Sequence, residues 1–328
     1  MNDAGQVIEL IYAFRRSKTM FAAVALGVFD RLHSRPRKAS EFGFREDTAE
    51  RLLDACVSLG LIEKHGDVYR NAHVAERYLV RKSPDTMAGY ILYSNSALFP
   101  MWSDLEGALA EGTPRWEPVF GFPPGGLFEQ FFRTEEQKRD FLLGMHGFGR
   151  LTSGTIVASF DLSRFRCFVD LGGGTGHLAM AAAEHYPAMR CAVFDLPAAI
   201  DVARDFVDGR VELLAGDFFK DSLPEADLYG LGRILHDWNE EKIRTLLARV
   251  CEALPPGGGL LIAELLLNDD KRGPVDAHMQ SLNMLVCTEG RERSLAEYRE
   301  LLETAGFTQV QGCQTGTPLD AILALKPA

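Results

Sequence analysis

From residue 166 onward the chain alternates between short apolar runs of β character and stretches with a helical period. Few sequence features restrict a fold more tightly. The runs are CFVDLGG (167–173), CAVFDLP (191–197), VELLAGD (211–217), ADLYGLGRIL (226–235) and GLLIAELLL (259–267). Helical patterns over 176–186, 197–207 and 239–253 lie among them. Strands buried on both faces read as continuous apolar runs, and strand–helix alternation packs as a parallel sheet covered on both sides. A helix over 294–305 and two further strands, FTQVQGC and LDAILALK, complete the tail. The expected fold is α/β, a Rossmann-like doubly wound mixed sheet.

The first of these strands runs into VDLGGGTGHLA. Glycines at 172, 174 and 176 allow close backbone approach to a ligand and a turn into a helix. The spacing is G-x-G-x-G, with His177 where a dinucleotide loop would carry its third glycine. An acid, Asp170, precedes the loop. It suits a ligand that brings an ammonium group rather than a pyrophosphate, and S-adenosylmethionine is such a ligand. A tight strand–helix turn with no ligand is the alternative reading of the glycines alone. Asp195 ends the second strand, where a carboxylate can accept from both ribose hydroxyls. Asp217 ends the third, where it and Phe218 can frame an adenine. Each acid could instead cap the following helix. Three acids at the ends of three successive strands line one crevice.

His236 stands at the end of the fourth strand, in RILHDWNEEK, at the same carboxyl edge. Methyl transfer from a sulfonium to an alcohol or phenol needs an aligned acceptor and removal of the hydroxyl proton. An imidazole with an ordinary pKa of about 6.5 suits that base role at neutral pH. The alternative is a hydrogen-bonded structural histidine, with Asp237 or Asn239 capping the next helix.

The N-terminal part reads differently. Residues 4–32 are helical and apolar on more than one face, which predicts burial, often by a second subunit. A helix from Thr48 ends near Gly60, and a hairpin turns at His65-Gly66-Asp67. Helix then hairpin is the outline of a winged helix. The net charge of −11 and the absence of a basic helix in TAERLLDACVSL favour a dimerisation module over DNA binding, and predict no nucleic-acid partner. Residues 111–128, EGTPRWEPVFGFPPGGLF, read either as a loop covering a flat ligand or as one packed on the core, and a helix follows over about 135–158. No run of about 18 apolar residues predicts a membrane span. The six cysteines are scattered without C-x-x-C pairing, so neither a zinc site nor a disulfide framework is expected, and the chain reads as cytoplasmic.

Together, DLGGGTG, VFDLP, GDFF, RILHDW, LIAELLL and SLNMLVCTEGRERS resemble the S-adenosylmethionine (SAM)-dependent O-methyltransferases that include the plant caffeic-acid and flavonoid enzymes, with the animal hydroxyindole branch nearest. The likeness runs over essentially the whole chain. It implies a class I methyltransferase fold, a winged-helix dimerisation domain over 1–110, an aromatic loop and connecting helix over 111–160 and a SAM-binding domain over 161–328. It also implies a homodimer, a small aromatic hydroxyl substrate, S-adenosylhomocysteine as product and no metal. By residue it implies His236 as general base, flanked by Glu264 and Glu292. Cofactor contacts fall on Asp170, Gly172, Gly174, Gly176, Asp195, Leu196, Gly216, Asp217, Phe218, Arg233 and Phe132. Acceptor contacts fall on Asp237, Trp238, Asn283, Met284 and Cys287. The chain departs from the hydroxyindole branch at Cys287, where that branch has glutamine, and at Gly149, where it has tryptophan. Those departures imply an altered acceptor pocket. Methylation of carbon, or a SAM-sensing regulator, are the competing functions.

Overall fold

The computed structural model describes residues 3–121 and 134–328. It divides into two compact units, Met1–Pro100 with Arg139–Gly147, and Met101–Lys138 with Phe148–Ala328.

In the first unit the helical pattern read over 4–32 is two helices, α1 (Asp3–Ala25) and α2 (Val28–Ser34). They break at Gly27, whose φ of 68° lies in the left-handed region. The end of α1 buries Ala23 and Val24 against Phe29, Leu53 and Cys56. Its beginning is not buried within the single chain. Val7, Ile8, Leu10, Ile11 and Phe14 lie on the protomer surface, Leu10 at 77% exposure. Helix α3 (Glu46–Ser58) leads into the antiparallel hairpin of β2 (Ile62–His65) and β3 (Val68–Asn71), and β1 (Arg37–Lys38) completes the sheet order β1-β3-β2. The helix-and-wing outline is therefore present.

The second unit is built on seven strands: β4 (Cys167–Leu171), β5 (Arg190–Asp195), β6 (Val211–Ala215), β7 (Leu228–Gly232), β8 (Gly259–Glu264), β9 (Thr308–Cys313) and β10 (Asp320–Leu325), in the order β6-β5-β4-β7-β8-β10-β9. The first five are parallel, and β10 runs antiparallel to both neighbours. Strand β8 shows why its sequence is apolar throughout. Leu260 and Ile262 pack into the core on one face, Leu261 and Ala263 into the core on the other. The order reverses between β4 and β7, which opens a crevice at the carboxyl edge.

Two expected elements are shorter. The helix read over 197–207 is Pro197–Ala203, and the strand read to Leu235 stops at Gly232. The helix Val275–Cys287 had no counterpart in the sequence reading. It exposes Val275 and Met279 while burying Asn283 beside Ala277, Met284, Val286 and Cys287, so its hydrophobic period is blurred. Among the described residues, no helix is long and apolar enough to cross a membrane.

Candidate active site

The glycine loop forms where β4 ends. Gly172, Gly174 and Gly176 take φ values of 70°, 54° and 79°, which disfavour any residue with a side chain. Gly173 is needed for space, because a Cβ there would meet Asp170 Oδ2 at 2.5 Å. The Gly174 N–H donates to Asp195 Oδ2 at 2.8 Å, and the Leu196 N–H to Asp195 Oδ1 at 2.6 Å. Burial raises Asp195 to about 6 against those two bonds. Burial, with Asp195 nearby, raises Asp170 to about 8. Among the described residues, Asp170 Oδ2 is buried with no hydrogen-bond partner. Without a ligand both carboxyl groups are therefore held toward the protonated form, and a cation brought beside them would favour the ionised one.

Gly216 and Phe218 follow β6. Gly216 donates to the carbonyl of Asp195 at 2.9 Å, and Phe218 is buried beside the loop, 3.2 Å from a Cβ built on Gly172. Asp217 is tied into its own turn: it accepts from the Phe219 N–H and pairs with Lys220, both at 2.9 Å. Burial opposes ionisation there, but Lys220 and that N–H outweigh it and hold the carboxyl below its usual range.

Beyond β7 the backbone turns sharply. Arg233 holds a left-handed φ of 57°, and its N–H donates to Ala263 at 2.9 Å. A short 3-10 turn, Leu235–Asp237, then carries His236. Glu264, the last residue of β8, caps this turn. Its Oε1 accepts from the N–H groups of Ile234, Leu235 and His236 at 3.1, 2.9 and 3.4 Å. Glu292 reaches the imidazole from the other side, because Gly290 lets its segment press on the His236 backbone. A Cβ at Gly290 would overlap the His236 carbonyl. The His236 Nδ1–H donates to Glu292 Oε1 at 2.7 Å, and Glu264 Oε2 is 3.3 Å from the same nitrogen. Nε2 faces away from both glutamates, with Asp237 Oδ1 at 3.7 Å. All three side chains are 3% exposed or less. Burial alone would lower the histidine, but Glu264, Glu292 and Asp237 outweigh it and raise it to about 9. Burial raises Asp237 to about 6, against the pull of His236 and Arg233.

The donor atoms of His236, Glu264 and Glu292 all lie within 4.8 Å of one another. Glu264 Oε1 is committed to backbone donors and Nδ1 to Glu292, so the two carboxylates orient the ring.

On the helix Val275–Cys287, Asn283 Oδ1 accepts from Trp102 Nε1 at 2.8 Å, and the Cys287 thiol donates to the Asn283 carbonyl at 2.8 Å. Trp116 Nε1 donates to the Cys287 carbonyl at 2.9 Å. Burial raises the Cys287 thiol far above its ordinary value, so it stays neutral. Met284 is buried on the same helix. Trp238 corrects the sequence reading. Its ring lies edge-on to Phe219 at 5.1 Å and below the Lys242 ammonium at 4.7 Å, within the sheet core rather than the acceptor side. Phe132 lies outside the described residues. Sequence reasoning singled out the aromatic stretch holding Trp116 but not Trp102, whose indole N–H in the apolar run ALFPMW was the available signal.

An O-methyltransferase domain model matches residues 102–308, and an O-methyltransferase dimerisation domain model matches residues 8–81. Bovine acetylserotonin O-methyltransferase is 42% identical over 332 residues, covering 97% of this chain and 96% of that protein. A human probable bifunctional dTTP/UTP pyrophosphatase/methyltransferase protein is 43% identical over 334 residues, but this chain spans only 54% of its length. The crystal structure of human N-acetylserotonin methyltransferase in complex with SAM superposes with a TM-score of 0.95 at 37% identity, covering 100% of this chain and 99% of that one.

Proposed function

Since this chain belongs to the SAM-dependent O-methyltransferases, we propose that it methylates the hydroxyl of a small aromatic acceptor of the phenol or hydroxyindole class, with His236 as general base. One observation carries the base assignment: a buried imidazole whose Nδ1–H is held by Glu292, so that in the neutral ring Nε2 is the proton acceptor. The residues present fit the cofactor, because Asp170 Oδ2 is buried without a hydrogen-bond partner beside the glycine loop, where a ligand's ammonium group can meet it. Asp170, Gly172, Gly174, Gly176, Asp195, Leu196, Gly216, Asp217, Phe218 and Arg233 would hold it. When bound, SAM supplies a methyl group already activated by its sulfonium charge.

The chain's own residues then have three tasks. Asn283, Met284, Cys287 and Asp237 orient the acceptor. Nε2 of His236 takes the hydroxyl proton, which makes a weak nucleophile a strong one. Glu264 and Glu292 hold the ring in one tautomer and stabilise the imidazolium that results.

The two named relatives that act on acetylserotonin support a hydroxyindole acceptor. Cys287 supports an acceptor pocket that differs from theirs, whereas Gly149 faces His177 beside the glycine loop. The organisation we propose is a dimerisation domain over 1–110, an aromatic connecting segment over 111–160 and a cofactor domain over 161–328. The surface row from Val7 to Phe14 supports burial in a homodimer. Six free thiols, three of them buried, suit a reducing, cytoplasmic setting.

Incubating the protein with methyl-labelled SAM and a panel of phenols and hydroxyindoles tests the reading. Label should appear in an aryl methyl ether. Label on carbon, or none in any acceptor, would count against it. Asp195→Ala should weaken SAM binding by about 1.5–3 kcal/mol, the range for a hydrogen bond to a charged group. Calorimetry showing unchanged affinity would remove Asp195 from the site.

A further inference from the structure

The helix Glu135–Ala158 carries Gly149 in its interior, where alanine forms helix better. The reason lies across the fold. A Cβ built on Gly149 would overlap the Cγ, Cδ2 and Nδ1 atoms of the His177 ring. His177 is the first residue of the helix that leaves the glycine loop, directly after Gly176. Its Nδ1 lies 2.9 Å from Ser153 Oγ, one helical turn on from Gly149. The neighbouring Phe148 lies under the guanidinium of Arg233, 5.5 Å from the ring centroid. One stretch, Phe148–Ser153, thus touches the loop after β4 through His177 and the turn after β7 through Arg233. Those are the two sides of the reversal point where the crevice opens.

We propose that His177 is a cofactor-positioning residue and that Gly149 is its size-matched counterpart. The imidazole fills the space a side chain at 149 would need, and Ser153 holds it there. That contact fixes Gly176, and through it the loop whose Gly174 N–H is bonded to Asp195, in the conformation that receives SAM. Any side chain at 149 displaces the ring and the loop together. The inference rests on SAM being the cofactor.

Calorimetry with S-adenosylhomocysteine tests it on the whole protein, its Gly149→Ala and His177→Ala variants and the double variant, with thermal melts alongside. Gly149→Ala should lose about tenfold in affinity and His177→Ala a few-fold, while the double variant should bind like His177→Ala, because removing the ring makes room for the methyl group. His177→Ala should melt near the wild type. The KM for SAM should follow these affinities, with kcat at saturating SAM and the acceptor KM nearly constant. Wild-type affinity in Gly149→Ala, additive losses in the double variant, or a loss in His177→Ala that only tracks its melting temperature would each overturn the pairing. A wild-type protein that binds no S-adenosylhomocysteine would overturn the cofactor reading itself, and the pairing with it.

Discussion

Replacing His236 with alanine should reduce turnover by about 10²–10⁴-fold, the usual contribution of a positioned general base. Binding of SAM should be nearly intact, since no cofactor contact is assigned to the imidazole. The size of the loss follows from where the ring stands. It is 3% exposed, so bulk water is poorly placed to take the acceptor proton in its stead. Raising the pH toward the acceptor's own pKa should restore part of the rate, because an ionised acceptor needs no base. Single-turnover kinetics with saturating SAM separates these outcomes. A variant with near-normal turnover on a weakly acidic hydroxyl would reduce His236 to a structural histidine at a strand end.

Glu292→Gln should lower the plateau rate by about tenfold to a hundredfold, the range found when a partner that orients a functional histidine is lost. It should also move the acid limb of the pH profile. The sign follows from the charges around the ring. Burial pulls the His236 pKa down; Glu264, Glu292 and Asp237 push it up further, to about 9 in the protein without ligand. Only the neutral imidazole accepts a proton, so activity should rise with pH as His236 loses its charge. Glutamine keeps an acceptor for Nδ1–H but removes a negative charge, which lets burial weigh more. The pKa should fall and the limb should shift to lower pH. Titration of labelled histidine by NMR, in wild type and variant without ligand, measures the shift directly. An unchanged or higher pKa in Glu292→Gln would refute this electrostatic assignment.

How much of this was legible in the sequence depends on the range of the interactions involved. Strand-end acids such as Asp170 and Asp195 could be read because a parallel sheet puts its loops and ligands at one edge, and an apolar run marks where each strand stops. The position of His236 at that edge could be read for the same reason. Its setting could not. The three N–H bonds to Glu264 and the short bond to Glu292 join residues 28 to 56 positions apart in sequence, and the roles of both glutamates came from resemblance alone. Trp238 follows the candidate base so closely that it read as part of the site, yet the turn at 235–237 rotates its ring into the core against Phe219. The helix Val275–Cys287 was hidden because two apolar residues, Val275 and Met279, face outward while Asn283 is buried among Ala277, Met284, Val286 and Cys287, which blurs its period. The contact between Gly149 and His177 joins two helices whose local sequences give no sign of each other.

The central claim is that His236 removes the acceptor proton as the methyl group moves. It is tested most directly by the ratio of wild-type to His236→Ala turnover across a series of phenols graded in acidity, at one pH and saturating SAM. A base matters most where the hydroxyl is least acidic. The ratio should therefore be about 10²–10⁴ for weakly acidic phenols and fall toward unity for phenols already ionised at the assay pH. A ratio that stays constant across the series, whether large or near one, would contradict proton abstraction by His236.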